Sequence, residues 1–155
     1  MEITINGGIV IREFSKGDRL LVEAFFDQMG GETRTFFDRN SGNRKKALEF
    51  FEDATNDCKY FLAEFNGEMI GYVFLWDMDT MIPWLGIAVS EAFKGKHLGR
   101  KLMEYVINMA RTENKGGILL TTHTANIRGQ ALYERCGFIY MGDHTGGERL
   151  YLLRF

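Results

Sequence analysis

The chain has 155 residues, of which 45% are hydrophobic and 26% charged, and its net charge is −2. These values predict one globular domain and argue against a nucleic-acid-binding surface and a polybasic membrane binder. No apolar run approaches the roughly 20 residues of a membrane-spanning helix, and the N-terminal MEITINGG lacks the regions of a signal peptide. Cys58 and Cys136 form no CxxC pattern, which is typical of packing thiols in a reducing cytoplasm.

The first 43 residues predict a strand, a helix and a turn-rich segment. Residues 9–14 form the strand, and Asp18 caps the helix that follows. The apolar positions of this helix recur at helical spacing and predict its buried face: Leu21, Ala24, Phe25 and Met29. Residues 30–43 are rich in turn-forming residues and lead into the next element.

A short helix and a hairpin are predicted next. The helix covers residues 45–54, and its buried positions are Leu48, Phe51 and Ala54. Two strands over residues 60–65 and 69–76 are joined by Asn66-Gly67, a pair typical of a tight hairpin turn.

Residues 84–103 predict an anion site. An apolar strand over residues 84–89 runs into a loop rich in Lys and Gly, and a helix opens at about Gly99. Such a junction directs several backbone N–H groups, and the partial positive charge of the helix N-terminus, at one point. The nearby cations are Lys94, Lys96, Arg100 and Lys101. This favours a phosphate or pyrophosphate ligand; alternatively, the segment is a lysine-rich helix start with a solvated face.

The remaining elements complete an alternation of strands and helices. A strand over residues 118–122 precedes a helix that Asn126 caps and Cys136-Gly137 ends. Strands over residues 138–141 and 149–155 close the chain around a glycine-rich turn. The predicted order β-α-α-β-β-β-α-β-α-β-β implies a mixed sheet with helices on its faces, hence an α/β or α+β fold.

Two motifs together carry a resemblance to a known family. Residues 94–99, KGKHLG, follow Val89 as a phosphate loop of the form (Q/R)-x-x-G-x-(G/A) would. Residues 126–138, NIRGQALYERCGF, match the pattern N-x-x-A-x-x-L-Y-x-K-x-G-F except at Gly129 and Arg135. The chain therefore resembles the GNAT superfamily of N-acetyltransferases, which move an acetyl group from acetyl-CoA to an amine. The resemblance implies one GNAT-like domain over residues 1–155, with a mixed, mostly antiparallel sheet of about seven strands flanked by about four helices.

The resemblance also implies a set of site residues. The Val89 backbone N–H would polarise the thioester carbonyl, and the Tyr133 hydroxyl would act as the general acid toward the CoA sulfur. An unperturbed phenol, with a pKa of about 10, lies within about two units of a leaving thiol of about 8.5. The residues implied to bind the coenzyme are Ile87, Ala88, Val89, Lys94, Gly95, Lys96, His97, Leu98, Gly99, Arg100, Asn126 and Tyr133.

Two positions depart from the pattern of the phosphate loop. Lys94 replaces the usual Gln or Arg and keeps a donor there. His97 replaces the middle glycine, so its Cβ either crowds the pyrophosphate or demands a left-handed backbone, which His adopts more readily than most residues. The imidazole could instead donate to a phosphate. CoA binding is expected to survive, and whether His97 weakens it stays open.

The general base and the acceptor pocket are left with alternatives. The family often carries a Glu on the central strand, where this chain has Pro83 and Trp84. The remaining candidates for the base are Asp77, Asp79, His123, or water acting on an amine that arrives deprotonated. Several side chains either line an acceptor pocket or merely fill the core and the sheet ends: Arg34, Phe36, Phe37, Trp76 and Trp84.

The sequence thus predicts a cytoplasmic N-acetyltransferase that uses acetyl-CoA and no metal. Its acceptor would be a primary amine on a small molecule or a protein, attacking directly in a ternary complex. No nucleic-acid or membrane partner is expected, and a homodimer through sheet edges is possible. The alternative is a non-catalytic domain that senses CoA or acetyl-CoA, which the absent strand acid and His97 both favour. A generic nucleotide-phosphate binder lacks support because no G-x-x-x-x-G-K-(S/T) motif occurs.

Overall fold

One sheet of eight strands organises the part of the chain that the computed structural model describes, namely residues 2–5, 7–37, 42–52 and 57–155. The strands are β1 (Ile3–Ile5), β2 (Ile9–Glu13), β3 (Lys59–Phe65), β4 (Glu68–Trp76), β5 (Trp84–Val89), β6 (Gly117–His123), β7 (Ile139–His144) and β8 (Glu148–Arg154). The helices are α1 (Arg19–Asp27), α2 (Gly31–Phe37), α3 (Gly42–Glu49), α4 (Leu98–Thr112) and α5 (Ile127–Arg135). Single 3-10 turns cover Lys16–Asp18, Glu91–Phe93 and Thr145–Gly147.

The sheet opens between β5 and β6, the fifth and sixth of its eight strands. Its order is β1-β2-β3-β4-β5-β6-β8-β7, and every neighbouring pair is antiparallel except β5 and β6. These two parallel strands meet at the pair Trp84–Leu119, where the Leu119 N–H donates to the Pro83 carbonyl over 2.9 Å. Among the described residues, no other pair joins these two strands, so they diverge toward their C-terminal ends. The divergence creates a cleft in the middle of the sheet.

Two apolar layers cover the faces of the sheet. On one face, α4 buries Leu98, Leu102 and Val106 against Ile118 and Leu120. On the other face, α1 buries its own aromatic residues against an aromatic layer that includes Phe14, Tyr60, Tyr72 and Phe74. Since β4 lies between the two layers and is buried on both faces, its residues form an almost continuous apolar run.

The predicted mixed, mostly antiparallel sheet with flanking helices is confirmed, with one strand and one helix more than expected. The additional strand is Ile3–Ile5, which pairs with β2 through a turn at Gly7 and Gly8, both at positive φ. Three residues are too few for alternation to reveal a strand. The additional helix is α2, which forms inside the segment predicted as turn-rich. The predicted hairpin at Asn66-Gly67 is confirmed, with φ of 52° and 77° at its two turn residues.

The buried faces of the first helices differ from the prediction. In α1 the buried positions are Val22, Phe25 and Phe26, with Met29 just beyond, whereas Ala24 is exposed. Both sets have helical spacing, but the observed stripe buries more apolar area because it includes a second phenylalanine. In α3 the buried residue is Ala47, and the predicted core position Ala54 lies outside the described residues.

Asp18 precedes α1 as predicted, but its carboxylate is used elsewhere. It accepts from the Ser15 N–H at 2.7 Å and from both terminal nitrogens of Arg12 at 2.8 and 2.9 Å. No side-chain bond to α1 is recorded for it. Arg12 also pairs with Glu64 on β3. The carboxylate therefore ties the entry to α1 onto the sheet, and it does so with only 5% of Asp18 exposed.

We expect Asp18→Asn to lower the free energy of unfolding at pH 7 by about 2 kcal/mol, because charge-assisted hydrogen bonds are lost inside the protein. The hydrogen bonds from Arg12 hold the pKa of Asp18 below its usual value, against the opposing effect of burial. This stabilisation is present above about pH 4 and is lost as the pH falls through the lower folded-state pKa. Chemical denaturation between pH 7 and pH 2 measures it. If the free energy of unfolding of the wild type falls no more steeply with decreasing pH than that of the variant, the stabilising role of the Asp18 carboxylate is contradicted.

Candidate active site

The cleft between β5 and β6 encloses a cavity of about 730 Å³. Its walls come from β5, the loop before α4, the first turn of α4, the end of β6, α5 and α2. Cationic side chains line one end and aromatic side chains the other. Tyr133, Thr122 and Asn126 line the cavity as well.

The edge of β5 that faces β6 offers backbone N–H and C=O groups to the cleft. Along a strand, successive residues direct their N–H and C=O groups to opposite sides. Ser90, just after β5, donates to Ile70 on β4, whereas the Pro83 carbonyl faces β6. The odd-numbered residues Ile87 and Val89 therefore direct their backbone groups away from β4, to the side on which the cleft opens. This orientation suits the predicted role of the Val89 N–H.

The predicted phosphate loop lies at the cationic end of the cleft. The loop residues that line the cavity are Lys94, Gly95, His97, Gly99 and Arg100, and Ile87, Ala88 and Val89 line it from β5. Lys96 and Leu98 stand outside this lining: Leu98 is 1% exposed in the core, and the Lys96 ammonium lies 5.3 Å from the Phe93 ring centroid. For these two residues only the backbone N–H groups remain predicted ligands.

Two arginines that the sequence analysis missed belong to the same end. Arg128 and Arg135 on α5 line the cleft opposite the loop. Arg135 occupies the usual Lys position of the motif over residues 126–138, and this match could have indicated its role. Arg128 sits at an unspecified position of that motif, so the pattern gave no reason to select it.

Glu91 holds the loop in place. Its carboxylate pairs with the Lys94 ammonium at 3.1 Å and lies within hydrogen-bond distance of the Thr33 N–H and hydroxyl, at 3.2 and 2.9 Å. The Thr33 hydroxyl also lies 3.2 Å from the Val89 carbonyl. Burial opposes ionisation of Glu91, but the Thr33 and Lys94 contacts outweigh it and lower its pKa. Glu91 thus connects β5, Lys94 and the first turn of α2.

His97 has a left-handed conformation, one of the two alternatives that the sequence analysis gave for this position. Its φ and ψ are 64° and 9° at the N-cap of α4, and Gly95 has a φ of 76°. A side chain with a Cβ is strained in this region, although His tolerates it better than most residues. The imidazole is exposed at the cationic end of the cleft.

We expect His97→Gly to raise the free energy of unfolding by up to about 1 kcal/mol, because glycine adopts this backbone conformation freely. CoA affinity should be maintained or increased. Chemical denaturation and calorimetry measure the two effects. Asn114→Gly is a matched control, since Asn114 has a φ of 59° beyond the other end of α4. A large loss of CoA affinity in His97→Gly alone would show that the imidazole contacts the ligand.

Tyr133 on α5 lies in the wall of the cleft with 7% of its surface exposed. Burial raises the pKa of Tyr133, with smaller contributions from Cys136 and Glu148, while a hydrogen bond with Thr122 opposes the increase. The phenol is therefore protonated throughout the neutral range, which is the state that a general acid needs. The raised pKa of Tyr133 lies further above that of a thiol than the pKa of an unperturbed phenol does.

Asn126 caps α5 as predicted and also orders the site. Its Oδ1 accepts from the Gly129 N–H at 3.1 Å, and its Nδ2 donates to the Thr122 hydroxyl at 3.0 Å. A Cβ at Gly129 would lie 2.4 Å from Asn126 Nδ2. The glycine that departs from the downstream motif is therefore the residue that leaves room for this orientation of Asn126.

The other end of the cleft is aromatic and carries one carboxylate. Phe36 and Phe37 from α2 line it, as do Trp76 and Trp84 from the sheet, so these four side chains face the cavity. Arg34 does not line it, because its guanidinium donates to the Met29 and Phe26 carbonyls at the end of α1. Among the described residues that line the cavity, Glu148 is the only acid.

The three side chains considered as a general base lie outside the cavity lining. Asp77 and Asp79 are exposed in the loop after β4. His123 packs its ring against Phe36, and its Nδ1 accepts from the Ala125 N–H at 3.0 Å, so the proton of the neutral ring is on Nε2. No local pattern indicates Glu148, which begins β8 and comes beside the cleft only through its pairing with His123.

Over the described ranges, no helix is both long and apolar enough to cross a membrane. The same residues contain no group of three or more His, Cys, Asp or Glu side chains placed to hold a metal ion.

Comparison with known proteins identifies the family. The model of the acetyltransferase (GNAT) family matches residues 21–138, which include both motifs and most of the cleft. The chain belongs to the GNAT family. This GNAT protein is 34% identical over 107 residues to the 5-NmdU N-acetyltransferase of Pseudomonas phage PaMx11, an alignment that covers 66% of the chain and 73% of the phage protein. It is 28% identical over 100 residues to the N-acetylaspartate synthetase of Mus musculus, covering 62% of the chain but 33% of that protein.

Solved GNAT structures share the fold. The GNAT domain of S. lividans PAT superposes with a TM-score of 0.82 at 16% identity, over 100% of this chain and 96% of the other. The PaiA N-acetyltransferase from Thermoplasma acidophilum, solved in complex with coenzyme A, has a TM-score of 0.78 at 16% identity, over 96% and 99% of the two chains. The described residues of this GNAT protein therefore have the fold of its family.

Proposed function

We propose that this GNAT protein transfers an acetyl group from acetyl-CoA to a primary amine in a ternary complex. The observation that carries the proposal is the place of Tyr133, a protonated phenol in the wall of a cleft whose two ends have opposite character. Five basic side chains line one end, and Glu148 with the aromatic residues lines the other. An anionic coenzyme and a cationic amine suit these two ends respectively.

The residues at the cationic end fit a diphosphate. Its ligands would be the backbone N–H groups of the loop from Lys94 to Gly99, the first turn of α4, and the side chains of Lys94 and Arg100. The inner edge of β5 at Ile87 and Val89, with Asn126 across the cleft, would hold the arm that follows. When bound, the coenzyme supplies an acetyl thioester.

Two groups of the protein support the chemistry at the centre of the cleft. The Val89 N–H would donate to an oxygen that gains negative charge, an interaction strengthened where water is excluded. The Tyr133 hydroxyl would hold the proton needed by a departing sulfur, and Thr122, which lines the same cleft, lies near it. Cys58 and Cys136 form no CxxC pattern, a cysteine usage typical of a reducing compartment, so we place the protein in the cytoplasm.

The acceptor is a primary amine of a small molecule or a peptide. The printed names of the relatives give acceptors as different as 5-NmdU and aspartate, so family membership alone does not select one. A homodimer would be compatible with this activity because the cleft is built from one chain.

Thiol release from acetyl-CoA in the presence of a panel of primary amines tests the proposal. We expect release above the amine-free rate for at least one amine, and calorimetric binding of CoA and acetyl-CoA. Binding of both forms without amine-dependent release, across the panel and from pH 7 to 9, would favour the sensor alternative. Absence of binding to well-folded protein would overturn both.

A further inference from the structure

We propose that the aromatic end of the cleft binds a primary amine carried on a flat, unsaturated ring, with the ammonium group at Glu148 and the ring among the aromatic side chains. This inference names the substrate class of the site described above and so rests on the proposed function.

A closed series of contacts joins the side chains that line this end to two histidines behind them, His123 and His144, which do not line the cavity themselves. Phe36 stacks on His123, with ring centroids 5.3 Å apart. His123 is the cross-strand neighbour of Glu148, which is in turn the neighbour of His144. His144 contacts Trp84 with its ring centroid 6.3 Å away.

From Trp84, further contacts run over β4 to α2 and close the series. Trp84 lies directly opposite Trp76 on β4, and Trp76 contacts Phe74 with ring centroids 5.0 Å apart. Phe74 contacts Phe37, which follows Phe36 on α2 and so returns to the start of the series. Five rings of the series line the cavity, namely those of Phe36, Phe37, Phe74, Trp76 and Trp84. A pocket bounded by aromatic rings is suited to a planar ligand, since stacked and edge-to-face arrangements both need a π system.

The floor of the pocket is also aromatic. A Cβ at Gly86 would lie 2.1 Å from Cζ of Phe74, so the ring of Phe74 occupies the space of a side chain on β5. Only glycine at this position allows the ring to lie against the strand. The floor therefore presents apolar surface directly beside the backbone of β5.

Trp76 contributes its ring to the wall of the pocket. It lines the cavity, and the Lys46 ammonium lies 3.6 Å from its ring centroid. Its indole Nε1 is buried away from the cavity, so the ring, and not the N–H group, is what Trp76 offers to a ligand.

Glu148 supplies the charge that selects an amine. It is the only carboxylate among the described residues that line the cavity, and its charge acts on Tyr133. An ammonium near Glu148 is thus held on the same side of the cleft as the predicted general acid. The aromatic faces add to the attraction for a cation.

Intrinsic fluorescence reports on this pocket directly, because both tryptophans of the chain line it. Benzylamine and cyclohexylmethylamine are matched probes, since they differ in the planarity of the ring. Titrated into the CoA-saturated protein, benzylamine should bind with a Kd at least threefold lower. Equal affinities, or tighter binding of the puckered ring, would overturn the requirement for a flat ring.

One variant tests the charge. Glu148→Gln should weaken benzylamine binding at least tenfold while leaving the neutral benzyl alcohol unaffected, and Glu68→Gln, at the exposed β3–β4 turn, should change neither. Unchanged benzylamine affinity in Glu148→Gln would overturn the contact of the ammonium with Glu148.

The outcome is separable from that of the proposed function. Calorimetry with CoA alone tests the cationic end and does not involve these side chains. If CoA does not bind, the acetyltransferase proposal fails, and the same amine titrations without CoA still decide the ring pocket. If CoA binds and the ring amines do not, only the substrate class is wrong.

Discussion

Replacing Tyr133 by phenylalanine should lower the rate of amine-dependent thiol release at least tenfold while leaving the Kd for CoA near its normal value. The variant removes the proton that the departing sulfur needs and keeps the aromatic ring that packs beside Phe138 and Tyr151. General acid catalysis contributes about 10²–10⁴-fold in typical enzymes, so the loss should be large. Steady-state kinetics with calorimetry on the same preparation separates turnover from binding.

Tyr140→Phe is the matched control for this variant. Tyr140 is exposed on β7, and its hydroxyl donates to Asp143 at 2.7 Å, away from the cleft. It should retain full turnover. Turnover unchanged by Tyr133→Phe would remove the phenol as the general acid, and an equal loss in both variants would indicate a general loss of structure.

Replacing Gly99 by glutamate should abolish CoA binding. Gly99 lies in the first turn of α4 and lines the cationic end of the cleft, so a carboxylate there would repel a diphosphate and occupy its space. A Cβ at this position would lie 3.2 Å from Cδ2 of Leu132, a flexible side chain that can move by the few tenths of an ångström needed. We therefore expect the fold to persist. Calorimetry with CoA, together with thermal unfolding, checks both statements.

Gly17→Glu is the control for the added charge. Gly17 lies in the 3-10 turn before α1, where a Cβ would meet nothing within 4 Å. CoA should bind this variant normally. Persistent binding to Gly99→Glu would mean that the diphosphate lies elsewhere in the protein.

The fold could be predicted from the sequence wherever a pattern is local. The hairpin at Asn66-Gly67 and the Asn126 cap each depend on neighbours within a few residues. The buried face of α1 was predicted in part, since Phe25 and Met29 are buried as expected. Contacts with distant residues such as Tyr72 turn the rest of the buried stripe toward Phe26 and away from Ala24. Helix α2 was missed because its first turn is held by Glu91, which lies 58 residues away from Thr33.

The candidate site likewise contains residues that a local motif predicted and residues that only the folded structure reveals. The phosphate loop and Tyr133 are contiguous motifs, and the structure brings them to one cleft. Glu148 and Arg128 carry no local signal, since they reach the cleft only through the pairing of β6 with β8 and the orientation of α5. The positive φ of His97 could be predicted from a missing glycine, whereas the role of Gly129 becomes visible only from the position of the Asn126 amide.

The contacts of Glu91 with Lys94 and Thr33 have a thermodynamic consequence for the binding of the two ligands. An anion that draws Lys94 away loosens its ion pair with Glu91, and Glu91 also secures the helix that carries Phe36 and Phe37. We therefore expect the coenzyme and the amine to change each other's affinity by one and the same factor, as linkage requires. Glu91→Gln should bring that factor closer to one, so that the two ligands bind more nearly independently.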